Sequence, residues 1–413
     1  MSSVYVTYTT GSCWRRVLDA KCAKNYFLAN GFSMTSDPKK ADILFVITCA
    51  FIKKTEDIAI CHINELKKLP GRLVISGCLP AMNPDRLKKT CQCETCGACD
   101  MAKLDELFPG SKIKFNEIDD SNELLTIKTK SRSFTAIKTI LQYYFPNFFS
   151  LTFQKNFFRS SLKALKTYKL FSERLFFMRI AWGCGGFADQ PACTYCSEWK
   201  AIGTFRSKQK DKCLREFEKG LSQGYKTFVL LADNIGAYGV DTGETFTGLV
   251  RELMEKSPKD VKFVIDSIHP IFLIKYLKQW IEIFKTKRIK WIMCAIQSGD
   301  NNVLKIMNRQ HTAEDLHNAI TQIFKVCPDL KMSTQVIIGF PGETEQAFQN
   351  SLDFLKNTGF FNAVLFPYCR IPNTIAGDLE GHISSEIIND RLKRAKKFLQ
   401  KNGMFHFHLK LDI

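Results

Sequence analysis

The 413-residue chain has no stretch approaching 18 clean apolar residues, so no membrane span is expected. Its start, MSSVYVTYTTGSCW, lacks a basic stretch, an apolar run and a small-residue cleavage site; this argues against a secretory signal and for the cytoplasm. No Walker A sequence and no G-x-S-x-G nucleophile elbow is present, which removes P-loop and α/β-hydrolase chemistry. The seven histidines show no zincin spacing, and no repeat of short fixed period stands out. Acids are in deficit: Asp plus Glu is 41 against 59 Lys plus Arg, a formal charge of +18. That balance favours polyanionic partners, nucleic acid first and an anionic membrane surface second. With 45% hydrophobic residues the composition is globular, and the length suggests two or three domains.

Short apolar runs alternate with helical patterns from the start. Val4 to Thr9, Asp42 to Thr48 and Leu73 to Ser76 read as strands, with helices up to Asn30 and over Glu56 to Leu69 between them. Such alternation predicts an α/β, doubly wound parallel-sheet domain over residues 1–120. Residues 121–176 change character: between Leu125 and Arg174 bases and aromatics crowd together, as in LQYYFPNFFSLTF, and read as a partly helical linker or insertion. From Phe177 six strand-like runs return, Met178–Trp182, Thr227–Ala232, Val261–Ile265, Trp291–Ile296, Met332–Ile338 and Ala363–Tyr368, with helical patterns between them. Six strands are too few for a full eight-stranded barrel, so a (βα)6 partial TIM barrel is expected over 177–380. A basic helix from Ser384 to Asn402 and a short tail, in which His406 and His408 read as incidental, complete 381–413.

Sixteen cysteines in a reducing compartment point to metal rather than to disulfides. Cys184, Cys193 and Cys196, in WGCGGFADQPACTYC, follow the first barrel strand at its C-terminal end, where barrel active sites lie. Three thiolates can hold three irons of a [4Fe–4S] cube and leave the fourth open, whereas electron-transfer clusters use four cysteines. The competing reading is a zinc loop, which needs a fourth ligand that the segment lacks. Cys13, Cys49 and Cys78 each stand at or just after a strand end of the first domain. In a parallel sheet those ends share one edge, so the three thiols are expected to meet as a second cluster site; otherwise they are small buried hydrophobes. Cys91, Cys93, Cys96 and Cys99 fall within nine residues and are read as a third metal centre, zinc or iron–sulfur, against a reduced loop without ligand. Cys22, Cys61, Cys213, Cys294, Cys327 and Cys369 are read as packing residues.

With ITCAF around Cys49, SGCLP around Cys78 and GCGGF…CTYC, the chain resembles the methylthiotransferases of the radical S-adenosylmethionine (SAM) superfamily, the MiaB-like and RimO-like enzymes. LLADNIGAYG, SIHP, QSGDNNVLKIMNR, IIGFPGETEQAF and YCRIPNTIA extend the resemblance to about Ala376. The resemblance implies two [4Fe–4S] clusters and SAM. Cys184, Cys193 and Cys196 would hold the cluster whose open iron chelates SAM, and one electron then yields a 5′-deoxyadenosyl radical. Cys13, Cys49 and Cys78 would hold the cluster that carries the sulfur to be transferred, methylated by a second SAM. A reductant such as flavodoxin or ferredoxin is implied. Tyr195 is placed to pack on adenine, and Asp233, Asn234, Gln297, Ser298 and Arg309 match positions around SAM. Read from the residues alone, Asn234 could be a turn residue, Arg309 a surface charge, and Gly339 and Gly342 turn glycines.

The chain also departs from the family pattern. Eight residues, not three, separate Cys184 from Cys193, so FADQPA is expected to bulge as a loop. Ser12-Cys13-Trp14-Arg15-Arg16 stands where the family has Gly-Cys-x-x-Asn, and Gln335 replaces an Asp. After Asn402 only GMFHFHLKLDI remains, and a C-terminal TRAM domain is not expected. The function favoured is methylthio transfer to a tRNA adenosine, supported by the charge and by aromatics interleaved with bases. The same chemistry on a peptide, protein or small metabolite, or a non-catalytic iron–sulfur or membrane-surface protein, are the alternatives.

Overall fold

The computed structural model describes residues 2–122, 174–185 and 192–408, with backbone only for 405–408. The basic aromatic stretch of 125–174, apart from Arg174, and most of the FADQPA loop lie outside the described residues. The chain divides into two units, Met1–Thr152 with Ser197–Gly203, and Phe153–Cys196 with Thr204–Ile413. No helix among the described residues is long and apolar enough to cross a membrane.

In the N-terminal unit β1 (Ser3–Tyr8), β2 (Ser33–Met34), β3 (Ile43–Thr48), β4 (Arg72–Gly77) and β5 (Glu94–Gly97) form one parallel sheet in the order β2-β1-β3-β4-β5. β3 is buried along its whole length because helices cover both faces of the sheet. Its side chains alternate: Ile43, Phe45 and Ile47 pack with Ala20, Ala23 and Phe27 of the helix Trp14–Ala29, while Leu44 and Val46 pack with Ala59, Ile63 and Leu66 of the helix Lys53–Leu66. The order reverses between β1 and β3, the switch point at which open α/β sheets bind ligands beyond their strand C-termini. The sequence reading missed β2 and β5, each too short to show a pattern.

In the second unit β6 (Leu175–Arg179), β9 (Thr227–Leu231), β10 (Lys262–Ile268), β11 (Ile289–Cys294), β12 (Lys331–Ile338), β13 (Asn362–Pro367) and β14 (Phe405–His408) run in parallel in that spatial order. Two corrections follow. The sheet has seven strands rather than six, because the C-terminal tail adds β14 beside β13, with Asn362 opposite Phe405. The first strand ends at Arg179, and β7 (Ala181–Trp182) turns away to pair antiparallel with β8 (Arg206–Ser207). The core lies between the sheet and the helices outside it. Phe228, Phe263 and Phe217 pack there, with the Phe217 and Phe228 ring centroids 4.5 Å apart, and the helix Phe246–Glu255 adds Leu249, Val250 and Leu253.

The basic helix Ser385–Lys401 is locked onto the turn after β12 by a buried pair. Arg391 donates to the Glu343 carboxylate at 2.7 Å and to its backbone oxygen at 3.0 Å, and Glu343 also accepts from the Gly339 N–H at 2.9 Å. Burial pushes the Glu343 carboxyl up to about 7 against the pull of that N–H and of Arg391. At pH 8, Glu343→Ala leaves a buried guanidinium without its main partner and is expected to cost about 3 kcal/mol, read from the urea midpoint. Because folding raises this carboxyl from 4.5 to about 7, the proton-linked part of its contribution is full below 4.5 and is lost as pH rises through 7, while the Arg391 pair remains. That slope is absent in Glu343→Gln.

Candidate metal centres

The first three-thiol group stands on the C-terminal edge of the N-terminal sheet. Cys13 is the N-cap of the helix Trp14–Ala29, Cys49 follows β3 and Cys78 follows β4. Hydrogen bonds between the strand ends fix their positions. Thr9 accepts from the Cys49 N–H at 3.1 Å and meets the Ser12 hydroxyl at 3.2 Å; the Cys78 N–H donates to the Thr48 carbonyl at 3.0 Å. Only glycine serves at position 77: its φ is +92°, and a Cβ there would lie 2.2 Å from the Thr48 oxygen. That contact lets β4 close on β3 and deliver Cys78 to the edge. The three thiols feel one another. Burial and then the Cys13 charge push Cys49 up to about 12. Burial raises Cys78 well above the usual thiol range, with Cys49, Glu198 and Cys13 adding to the rise and Arg16 opposing it. Arg16 and Glu198 were not singled out in the sequence; Arg16 is buried and ion-paired with Asp19 at 3.2 Å.

The second group lies in the second unit: Cys184 follows β6 and β7, and the Cys193–Cys196 turn lies against Met307 and Phe340, which follow β11 and β12. Gly183 and Gly185, with φ of +78° and +80°, flank Cys184. Asp233, after β9, accepts from the Gly183 N–H at 2.9 Å and so holds the backbone next to Cys184. Cys193 and Cys196 are joined by a turn in which the Cys196 N–H donates to the Cys193 carbonyl at 3.1 Å. Tyr195 between them is half-buried and meets Phe340 edge-on at 6.4 Å; burial and then the Cys193 charge raise its hydroxyl. Gln297 is buried with φ +68°, its backbone bridging β11 to β12 through Gln335 and Ile337, a strained setting of the kind found at functional sites. Ser298 is committed inward, to Ser351 at 3.2 Å and the Asp300 N–H at 3.1 Å. Arg309 is buried, not the surface charge that the residues alone allowed.

Asn234 Oδ1, Gln297 Oε1 and Arg309 Nε are buried without a hydrogen-bond partner among the described residues, as are both ring nitrogens of His311. Unpaired buried polar atoms are costly, and so many near one strand edge fit a polar ligand. His311 was missed in the sequence, as was His269, whose ring lies 5.8 Å from it. Burial and then Arg309 hold His311 down at about 3, and burial holds His269 well below its usual value. SIHP at a strand end was the available signal for His269.

Among the described residues no three His, Cys, Asp or Glu side chains stand in a ready-made metal-holding array. The fit of iron–sulfur clusters to the two triads therefore rests on donor chemistry, three soft thiols per site on a ligand-binding sheet edge, and on the electrostatic coupling of the first triad. Cys96 sits on β5 and packs against the face of the helix Trp14–Ala29; Cys91 and Cys93 pack toward the opposite face and are joined to each other. Cys96 and the Cys91–Cys93 pair therefore pack on opposite faces of the sheet. A four-Ala variant at Cys91, Cys93, Cys96 and Cys99 is expected to keep its iron and zinc per chain, measured by elemental analysis.

Residues 189–355 match the Radical SAM superfamily, and residues 5–96 match a family described as Uncharacterized protein family UPF0004. The fold and the two matches define a radical SAM protein with a UPF0004 domain ahead of its core. A probable threonylcarbamoyladenosine tRNA methylthiotransferase of Pyrococcus abyssi is 27% identical over 88% of this chain and 76% of its own length. A tRNA-2-methylthio-N(6)-dimethylallyladenosine synthase of Clostridium perfringens is 27% identical over 95% of this chain and 81% of its own length. A ribosomal protein uS12 methylthiotransferase RimO of Protochlamydia amoebophila is 26% identical over 96% and 77%. Among solved structures, the radical SAM methyltransferase TsrM of Kitasatospora setae shares the fold, with a TM-score of 0.61 and 12% identity over 91% of this chain and 77% of that one. The two family matches and these relatives together make the chain similar to the radical SAM methylthiotransferases.

Proposed function

We propose that the chain is an enzyme that replaces an unactivated C–H hydrogen by a methylthio group, with a tRNA adenosine as substrate. The observation that carries this reading is the pair of cysteine triads, each on the C-terminal edge of its own parallel sheet. Cys184, Cys193 and Cys196 would hold one [4Fe–4S] cluster together with SAM, and Cys13, Cys49 and Cys78 the other. Those groups, when bound, supply hydrogen abstraction and the sulfur and methyl to be transferred. The residues of the chain supply placement. Asp233 fixes the backbone before Cys184, and Thr9 and Thr48 brace the edge that carries Cys49 and Cys78. Asn234, Gln297 and Arg309 offer buried polar atoms to SAM. Flavodoxin or ferredoxin is the class of reductant such a centre needs.

The tRNA reading draws on the net charge of +18, since phosphate contacts dominate RNA affinity and make it salt-dependent. The similarity to a ribosomal-protein methylthiotransferase over 96% of this chain supports a protein substrate as the second reading. Anaerobic expression, followed by mass spectrometry of tRNA nucleosides and ribosomal peptides for SCH3 in place of H, decides between them. The expected result is gain of the group on an adenosine; gain on a peptide alone overturns the tRNA substrate, and gain on neither overturns both.

A further inference from the structure

The loop that carries Cys193 and Cys196 has no regular secondary structure of its own, yet a single segment binds it at four points. The helix Asn301–Ile306 is followed by Met307, Asn308 and Arg309. The Thr194 N–H donates to the Met307 carbonyl at 3.2 Å, and its hydroxyl donates to the Ile306 carbonyl at 2.9 Å. Asn308 Nδ2 donates to the Ala192 carbonyl at 3.2 Å. Arg309 Nη1 lies 3.6 Å from Cys193 Sγ, within range for a hydrogen bond to sulfur. Asn308 adopts φ +57°, a left-handed turn that Asn tolerates, and this reverses the chain so that Arg309 passes beneath the loop.

A second buried arginine shows what a structural guanidinium does in this protein. Arg288 spends its donors on protein oxygens: the Val261 carbonyl at 2.9 Å, the Met254 carbonyl at 2.6 Å and the Ser257 hydroxyl at 2.6 Å. Arg309 gives one nitrogen to the Ala295 carbonyl, directs another at a thiol, and leaves Nε unpartnered among the described residues. A guanidinium is expensive to bury, and a neutral thiol is a poor return for that cost. A thiolate that carries cluster charge is a good one, because a charge-assisted donor is about twice as strong as a neutral one.

We propose that Ile306–Arg309 is a clamp that presets the Cys193–Cys196 loop, and that Arg309 within it is a donor to the Cys193 sulfur that sets the reduction potential of the centre held there. The proposal rests on the assignment of Cys184, Cys193 and Cys196 as cluster ligands. Arg309 is a positioning and tuning residue: its positive charge and N–H favour the more negative, reduced state and so raise the potential. Thr194 and Asn308 act on the backbone, so they govern how firmly the centre is kept rather than its potential.

The test uses the full chain with Cys13, Cys49 and Cys78 replaced by Ala, reconstituted anaerobically with iron and sulfide so that only one cluster is counted. Midpoint potential is read by EPR-monitored titration, and iron loss by its rate to a chelator. Arg309→Met is expected to move the midpoint to a more negative potential, with Arg309→Lys between it and the parent. Thr194→Val combined with Asn308→Gly, which keeps the left-handed backbone, is expected to lose iron several-fold faster at an unchanged midpoint. A fully loaded Arg309→Met at the parent midpoint overturns the tuning role. If that variant does not load, an unshifted Arg309→Lys does so instead. An unchanged loss rate in the Thr194/Asn308 variant overturns the clamp. Failure of the underlying assignment looks different: Cys184, Cys193 and Cys196 replaced by Ala in the same background would then keep the iron.

Discussion

Replacement of Cys184, Cys193 and Cys196 together by Ala is expected to abolish release of 5′-deoxyadenosine from SAM under anaerobic, reducing conditions. The effect should be complete rather than partial, because the chemistry belongs to the bound group and the protein only places it. Cys184 follows β6 and β7, with Asp233 bonded to the Gly183 N–H beside it, and Arg309 lies on Cys193. Liquid chromatography of the quenched reaction reads the product, and iron per chain reads the centre. Undiminished 5′-deoxyadenosine from the triple variant would sink the assignment of these cysteines.

The second large effect is expected at the other sheet edge. Replacing Cys13, Cys49 and Cys78 by Ala should lower iron and sulfide to about half of the parent value, one of two clusters, while SAM cleavage remains measurable. Methylthio transfer should then be lost. Cys49 and Cys78 are buried, so a thermal melt of the variant is needed to show that the sheet is intact. Full iron and sulfide in a folded variant would return these cysteines to packing residues.

Much of the scaffold was legible because both sheets are parallel. Strands covered on two faces are continuous apolar runs, as ILFVIT and TFVLL are here, and the helices between them carry one apolar face each. The short strands were not legible: Ser33–Met34 and Glu94–Gly97 exist only because a neighbour offers a free edge, and the tail strand Phe405–His408 forms by pairing with β13. Likewise, nothing in four closely spaced cysteines announces that β5 turns Cys96 to one face of the sheet while Cys91 and Cys93 pack toward the other.

The sequence by itself determined the two cysteine triads and their order along the chain, since ligand type and strand-end position are local properties. It also carried the family resemblance, because QSGDNNVLKIMNR and GFPGET are contiguous strings. Only the tertiary structure decided which distant groups serve each triad. Arg309 reaches Cys193 across 116 positions, Asp233 reaches Gly183 across 50, and Thr9 holds Cys49 across 40. A parallel sheet brings every strand's C-terminus to one edge, so residues far apart in the chain become neighbours there. The identity of those neighbours depends on strand order and register, which come from packing of the whole fold rather than from any local pattern.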